Sequence, residues 1–300
     1  RAASKVALTV YALPRLDSCL GFGATTVEIK SGYGLDFENE IKMLEVINEL
    51  KNLHVVEIVP TFLGAHTIPF DYRERRDEYI RLVLERMLPE VADRGLAEYC
   101  DVFVEQGAFS LDEAREIFTR ARSLGLKVRV HADQITAGAG AELAAEMQAS
   151  SADHLDNISD EGIARMMERG TVATVLPGVS LFLGEEFPDA RRLIDAGLPV
   201  AVATDANPGS CMSENMPLMM SLAALQMRMT MEEVITAATI NAAAALNRAE
   251  THGSIEVGKQ ADVLMFDTPN YQRILYHYGV NPIRHVVKNG RVVVRDGRRT

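Results

Sequence analysis

The sequence predicts an α/β fold: a (β/α) barrel followed by a small β element. Apolar, β-branched runs alternate with segments of helical spacing. Three of these runs end in a side chain that can bind a metal or transfer a proton, since KVRVHAD, SSADHLD and PVAVATDANPGS carry His131, His154 and Asp205. The C-terminal strand ends of a barrel converge on one face, so these three side chains are predicted to share a pocket.

The barrel elements are predicted in chain order. The seven strand candidates are TTVEIK, HVVEIVPTFL, EYCDVFVE, LKVRVHAD, SSADHL, TVATVLP and PVAVATD. The helical segments are residues 37–51, 72–94, 111–124, 139–149, 160–169 and 190–196. Seven strands are one fewer than the eight that close a TIM-like barrel. Because the chain begins at Arg1 with an amphipathic helical segment, we expect the first strand to be the one that is missing.

The composition and the hydrophobic pattern of the chain change after Asp205, and this change predicts a second domain. Residues 214–247 are rich in Met and Ala and are predicted to be helical. Beyond them, GSIEVGKQADVLMFD and NPIRHVVKNGRVVVRDGRRT contain short β-like runs around GK, NG and DG, which favour tight turns. We therefore predict a barrel over residues 1–248, incomplete at its N-terminus, and part of a small β-sandwich over residues 249–300.

Composition narrows the class of protein. A 300-residue chain that is 47% hydrophobic and 24% charged has enough apolar mass for a large core. The formal net charge of -11 argues against a nucleic-acid partner, and no run approaches the roughly 20 apolar residues of a membrane span. The three scattered cysteines indicate no disulfide framework, so we expect a cytoplasmic protein with a small-molecule substrate.

The strand ends predict a metal-assisted hydrolase. Asp205 follows AVAT, a buried-strand pattern in which an unpaired carboxylate costs several kcal/mol unless it binds a metal or a cation. His131 follows KVRV, which we interpret as an apolar buried strand, and Gln134 stands just beyond it. A single histidine at a strand end is usually structural, but His154 has the same placement one βα unit later. The coincidence of three such positions favours a metal site.

Other strand ends carry polar groups suited to a carboxylate-bearing substrate. The segments KSGYG and TFLGAH supply Lys30, Ser31, Tyr33 and His66, and DANPGS supplies Asn207, Gly209 and Ser210 beside the predicted metal ligand. For Tyr33 the alternative stays open that SGYG is an ordinary turn whose glycines serve the backbone.

The strings VEIKSGYGL, VPTFLGAH, HADQ, SADHLD and ATDANPGS, in this order, resemble the imidazolonepropionase family of the amidohydrolase superfamily. TINAAAALNR and GSIEVGKQADVLMFD resemble the superfamily's passage from barrel to flanking β-sandwich. The resemblance implies an amidohydrolase barrel that hydrolyses 4-imidazolone-5-propanoate to N-formimidoyl-L-glutamate in histidine degradation, and a homodimer. It implies one divalent ion, Zn or Fe, bound by His131 and Asp205, catalytic roles for His154 and Asp205, and substrate contacts from Tyr33, His66, Gln134, Asn207, Gly209 and Ser210.

Two departures from the family pattern limit these expectations. The family's metal site also uses a His-x-His pair, which occurs nowhere in this chain, and Gln134 stands where some members carry Glu. We expect a chain truncated at its N-terminus to bind metal poorly, which leaves its own activity open. Two alternatives remain: another amidohydrolase, such as a deaminase of a nitrogen heterocycle, and a non-catalytic barrel fragment.

Overall fold

A computed structural model describes residues 1–300. The chain divides into two compact units. The first comprises Arg1–Tyr11, Val27–Leu53 and Ile58–Thr171, and the second comprises Ala12–Thr26, His54–Glu57 and Val172–Thr300. A long helix, α1 (Lys5–Gly21), contributes residues to both.

The first unit is built from strands that alternate with helices. Its strands are β1 (Thr26–Lys30), β2 (Glu57–Ala65), β3 (Tyr99–Val104), β4 (Lys127–Ala132) and β5 (Ser151–His154). They lie side by side in chain order, and the pairs from β2 to β5 are parallel. The helices of the unit are α2 (Phe37–Leu53), α3 (Arg76–Leu82), α4 (Leu88–Asp93), α5 (Leu111–Ser123), α6 (Gly140–Glu146) and α7 (Asp160–Arg169).

Local sequence signals account for the ends of these helices. Ser110 and Glu113 form a reciprocal capping box at the start of α5, in which each side chain accepts a hydrogen bond from the other residue's backbone N–H. The Ser159 hydroxyl caps α7, which ends at Gly170 in the left-handed conformation. Helix α5 packs on β3 and β4, and its Ile117 and Phe118 are fully buried.

The second unit contains parallel strands, helices and a separate small sheet. Strands β6 (Val172–Val175) and β7 (Val200–Val202) pair in parallel. The helices are α8 (Pro177–Leu183), α9 (Ala190–Asp195), α10 (Met216–Gln226), α11 (Met231–Ala238), α12 (Ile240–Ala245) and α13 (Gln272–Tyr276). The small antiparallel sheet is formed by β8 (Val263–Phe266), β9 (Ile283–Lys288), β10 (Arg291–Arg295) and β11 (Arg298–Arg299).

The predicted fold class is confirmed: parallel strands alternate with helices, and a small sheet follows. This sheet lies within residues 249–300, and the domain boundary at residue 248 stays a prediction. None of the helices combines the length and the apolar character that crossing a membrane requires.

Three predicted boundaries differ from the structure. The helical segment 72–94 is interrupted by one wider turn, Val83–Met87, before α4, which has Pro89 in its first turn. Helix α8 was not predicted because its apolar run GVSLFL gives no helical period. The segment 214–247 forms three helices, and Arg228, between the first two, has a φ of 57° that no helix accommodates.

Candidate active site

A row of five rings crosses the C-terminal ends of the first unit's strands. Adjacent ring centroids are 5.3 Å apart for Tyr33 and His66, 6.1 Å for His66 and Phe103, 6.0 Å for Phe103 and His131, and 5.4 Å for His131 and His154. Four of the five are predicted site residues, and Phe103 is not. The structure therefore brings Tyr33, His66, His131 and His154 into one continuous group.

Strand register places the two buried histidines side by side. In the β4–β5 pair, Ala132 lies opposite His154 and His131 lies opposite Asp153. His154 has a φ of 78° and Leu155 a φ of 65°, in the left-handed region that costs a non-glycine residue about 1–3 kcal/mol. Such strain is concentrated at functional sites, which is consistent with the predicted role of His154.

A largely buried group of charged residues, here named the Lys30 cluster, adjoins this row. It comprises Lys30, Glu28, Asp101, Asp153 and Arg129. Lys30 Nζ lies 2.6 Å from Asp101 Oδ2, 2.8 Å from Asp153 Oδ2 and 3.4 Å from Glu28 Oε2. Arg129 lies 3.3 Å from Glu28 and 3.4 Å from Asp153. Asp101, Asp153 and Arg129 are buried and Lys30 and Glu28 are half-buried, so three carboxylates share two fixed cations with little access to water.

The cluster reaches the ring row through Asp101. The Nδ1 atom of His131 lies 3.1 Å from Asp101 Oδ1 and 3.0 Å from Oδ2. Burial alone would raise the pKa of the Asp101 carboxyl, but the charges of His131 and Lys30 outweigh it and hold that pKa well below its usual value. Asp101 is therefore an ionised carboxylate, which can only accept hydrogen bonds.

The pKa of His154 is shifted in the opposite direction from that of His131. Burial, reinforced by the neighbouring positive charge of His131, lowers the pKa of His154 from 6.5 to about 3. Burial also lowers the pKa of His131, but the adjacent Asp101 outweighs it and the net shift is upward. Near neutral pH, His154 is consequently an uncharged imidazole, able to accept a proton at one nitrogen and donate a hydrogen bond from the other.

Part of this group has the composition of a metal site. Asp101, His131 and Asp153 each offer a ligand atom within 4.8 Å of the others. Lys30 Nζ already donates to both aspartates, however, and would repel a divalent ion placed between them. The His131 imidazole has Nε2 left for an ion, and imidazole is a common ligand of zinc and iron. The donor set therefore fits an ion bound through His131, with the two carboxylates held by Lys30.

The loop that carries Gln134 is anchored from three sides. Glu105 accepts hydrogen bonds from the backbone N–H groups of Ile135 and Thr136. Asn157 Nδ2 donates to the Gln134 carbonyl oxygen at 2.8 Å. Asp133, at a left-handed φ of 52°, accepts from the N–H groups at the start of α6. These contacts fix the backbone of Gln134 beside the end of β4.

The loop that carries Tyr33 is fixed in a comparable way. The fully buried Glu40 accepts hydrogen bonds from the N–H groups of Gly32, Gly34 and Leu35. Gly32 has a φ of 111°, and a Cβ there would lie 3.0 Å from the Leu63 carbonyl oxygen, so only glycine fits. The Gly32 carbonyl in turn accepts a 3.0 Å hydrogen bond from His66 Nδ1. SGYG is therefore a braced turn that sets the orientation of His66.

The remaining predicted site residues lie in the second unit, directly after β7. Asn207 organises them: its Nδ2 donates to the Asp205 carbonyl at 2.7 Å, and its Oδ1 accepts from the N–H groups of Gly209 and Ser210, each at 2.8 Å. Asn207 Nδ2 also lies 3.0 Å from Ser210 Oγ. Asp205 has a left-handed φ of 47°, the same type of strain as His154.

The sequence predicts Lys30 as a donor for the substrate, whereas in the structure it pairs with Asp101 and Asp153. The other members of the Lys30 cluster, and Glu40 and Glu105, were not predicted. KVRV is not the apolar strand we inferred, because Arg129 is a buried cation within it, 3% exposed. A signal was present in the alternation of the strands: Glu28 and Lys30, and likewise Arg129 and His131, are two residues apart, and residues at this spacing share one face of a strand. Repeated polar residues on one face of several adjacent strands indicate a polar interior.

Comparisons with known proteins agree with this geometry. The amidohydrolase family model matches residues 20–293. The chain is 53% identical over 298 residues to an imidazolonepropionase of Geobacillus kaustophilus (strain HTA426), covering 99% of this chain and 70% of that relative. It is 49% identical over 295 residues to an imidazolonepropionase of Clostridium tetani (strain Massachusetts / E88), covering 98% of this chain and 70% of the relative.

Solved structures are similar in fold. An adenosine deaminase from Xanthomonas campestris with bound zinc has a TM-score of 0.77 at 19% identity, covering 100% of this chain and 72% of that one. A triazine hydrolase variant has a TM-score of 0.78 at 17% identity, covering 99% of this chain and 74% of that one. At these identities the likeness extends to the fold alone.

Proposed function

The chain belongs to the imidazolonepropionase family of amidohydrolases, and we propose that it hydrolyses the cyclic amide 4-imidazolone-5-propanoate to N-formimidoyl-L-glutamate in histidine degradation. The observation that carries this proposal is the 53% identity over 99% of the chain. The row of rings from Tyr33 to His154 supports it, because it brings three imidazoles and a phenol together in one place. In this reaction water attacks the ring carbonyl carbon, the amide carbon–nitrogen bond breaks, and the released ring nitrogen takes a proton.

One divalent ion, Zn or Fe, forms part of the proposal, with His131 and Asp205 as ligands. When bound, such an ion polarises a carbonyl group and lowers the pKa of a water molecule, which makes a nucleophile available at neutral pH. His131 can offer Nε2, because its Nδ1 is engaged with Asp101. Asp205 can offer a carboxylate oxygen, and Asn207 restrains the backbone that carries it.

Two side chains are assigned to proton transfer and to polarisation of the substrate. We assign to Asp205 the acceptance of the proton of the attacking water and its transfer to the leaving ring nitrogen. We assign to His154 the polarisation of the substrate carbonyl or a second proton transfer. Its low pKa supports this role, since an uncharged imidazole can donate a hydrogen bond while keeping an acceptor nitrogen.

Substrate binding is assigned to groups at several strand ends. Tyr33 and His66 lie on the outer part of the ring row, and the Gln134 loop is held beside β4. An anionic, flexible propanoate tail requires several donors to hold it, which favours these residues together with Asn207, Gly209 and Ser210.

The test is steady-state hydrolysis of 4-imidazolone-5-propanoate by the protein and its Asp205→Asn variant, with metal content assayed alongside. The variant loses a proton acceptor and a charged ligand together, so we expect kcat to fall by at least about 10³-fold at saturating substrate. Asp195→Asn, on an exposed residue of α9, is the matched control and should retain activity. Near-normal turnover by Asp205→Asn would refute the mechanism, and ammonia release from a nitrogen heterocycle would favour a deaminase instead.

A cytoplasmic location and the absence of a nucleic-acid partner complete the proposal, supported by the net charge of -11 and the free cysteines. A homodimer is proposed from the family resemblance alone. Sedimentation of the purified protein at micromolar concentration measures this state directly.

A further inference from the structure

We propose that Asp101 is a positioning residue: it accepts the Nδ1–H of His131, which leaves Nε2 as the ring atom that binds a cation, and Lys30 holds Asp101 in place. The inference rests on the proposed function only in taking His131 as a metal ligand. Asp101 itself touches neither the substrate nor the reacting atoms in this proposal.

The direction of the hydrogen bond between Asp101 and His131 fixes the tautomer of the His131 ring. Both Asp101 oxygens lie within 3.1 Å of His131 Nδ1, and Lys30 Nζ donates to Oδ2 at 2.6 Å. A carboxylate paired with an ammonium group is ionised and can only accept, so the proton between Asp101 and His131 belongs to Nδ1. A neutral ring with its proton on Nδ1 has its lone pair on Nε2, which is the form that a metal requires.

Buried ion pairs hold the Asp101 carboxylate in one position. Asp101 is fully buried in β3, and its strand neighbour on β4 is Arg129, two residues before His131 and on the same face. Lys30 also donates to Asp153 at 2.8 Å, so the ammonium joins β1 to both β3 and β5. The carboxylate therefore cannot rotate away from His131 without breaking a buried ion pair.

The carboxylates of the Lys30 cluster pair with cations of the chain itself rather than with a metal ion. Lys30 supplies three donors, and Asp101, Asp153 and Glu28 stand within 3.4 Å of them. Arg129 supplies the second cation. The two cations offset all but one of the three carboxylate charges, and Asp101 is the carboxylate that also contacts His131, so we assign Asp101 to the orientation of that ring.

The experiment compares Asp101→Asn with Asp153→Asn in metal-free protein. Both variants remove one carboxylate bound to Lys30, but only Asp101 contacts His131. Nitrogen-15 NMR of the histidine rings, at a pH where the 15N shifts show neutral imidazole, reports which nitrogen carries the proton. Wild type and Asp153→Asn should keep the His131 proton on Nδ1, whereas Asp101→Asn should give a mixture of both tautomers.

Zinc affinity, measured by competition with a weak chelator, provides the second readout. Loss of the partner of a ligating histidine lowers metal affinity by about 10–100-fold. The zinc affinity of Asp101→Asn should therefore fall by that factor, and that of Asp153→Asn by much less. Equal effects of the two variants would overturn the proposal. A wild-type His131 protonated on Nε2 would overturn it even if both variants failed to fold. The tautomer is read without substrate, so a protein that fails to hydrolyse imidazolone propanoate could still confirm the positioning role.

Discussion

Two histidines paired with carboxylates show how a structural imidazole differs from a candidate ligand. In the second unit, His252 uses both ring nitrogens: Nε2 lies 2.9 Å from Glu57 Oε2 and Nδ1 lies 2.8 Å from Thr251 Oγ1. In the first unit, His131 uses Nδ1 with Asp101 and keeps Nε2. The number of ring nitrogens engaged within the protein therefore distinguishes the two roles better than burial, since both residues are nearly inaccessible.

The largest expected effect separates these two histidines by substitution. His131→Gln should lower kcat by at least about 10³-fold, because it removes a proposed metal ligand. His252→Gln should leave kcat unchanged and reduce the free energy of unfolding by about 1–3 kcal/mol, through the loss of buried hydrogen bonds. Turnover and urea unfolding are measured on both. Loss of turnover in folded His252→Gln protein would remove the distinction.

The second prediction compares the lysines that pair with carboxylates in the two regions, Lys30 and Lys288. Lys30→Met leaves Asp101 and Asp153 charged and buried, and should reduce the free energy of unfolding by about 3–5 kcal/mol. Lys288 pairs with Asp262 and Glu57, whose side chains are 10% and 28% exposed and so closer to water. Lys288→Met should therefore cost about 1–3 kcal/mol. Equal losses in urea denaturation would contradict the greater isolation of the Lys30 cluster.

The third prediction concerns pH. In the folded protein the pKa of His154 is lowered from 6.5 to about 3, so between these values the unfolded chain binds a proton at this residue and the folded chain does not. The free energy of unfolding is therefore unaffected by protonation of His154 above the pKa of the unfolded chain. It falls as the pH falls through this window, by up to about 1.4 kcal/mol per pH unit. His154→Gln should flatten the dependence of unfolding free energy on pH between about 4 and 6.5. An unchanged slope would show that His154 is protonated in the folded state.

The smallest effect is expected at the outer end of the ring row. Tyr33 is 49% exposed, and its ring contacts His66 edge-on. Tyr33→Phe keeps this contact and removes only the hydroxyl group, so KM should rise by about 3–10-fold with little change in kcat. The exposed Tyr278→Phe serves as control. A fall in kcat without a change in KM would place Tyr33 in the chemical step rather than in binding.

The positions that the sequence predicts well are those at the ends of strands. His131 and His154 were identified because an apolar run followed by one polar residue is a local pattern, and parallel strands align such ends. The same reasoning located Tyr33 and His66, which the structure places in the same row. The roles of Asp205, Asn207, Gly209 and Ser210, inferred from the same kind of strand end and made specific by the family resemblance, stay predictions.

The Lys30 cluster was missed for a physical reason. Each strand contributes only one or two of the cluster's charged members, and a charged residue within a strand normally indicates a solvent-facing position. Only the lateral arrangement of β1, β3, β4 and β5 brings the opposite charges together, and the pairing partners are separated by 71 and 123 residues. Glu40 and Glu105 were missed similarly, since they bind backbone N–H groups, which leave no mark in the sequence.

The position of Lys30 also bears on how the folded chain can gain and lose a metal ion. An ammonium group attached to the backbone cannot dissociate, so the charge that holds three strands together stays in place when a metal ion leaves. Loading and loss of the ion can then occur on a folded chain, unlike small domains whose ligands separate once the metal is removed. A demetallated molecule could therefore be reloaded without being refolded.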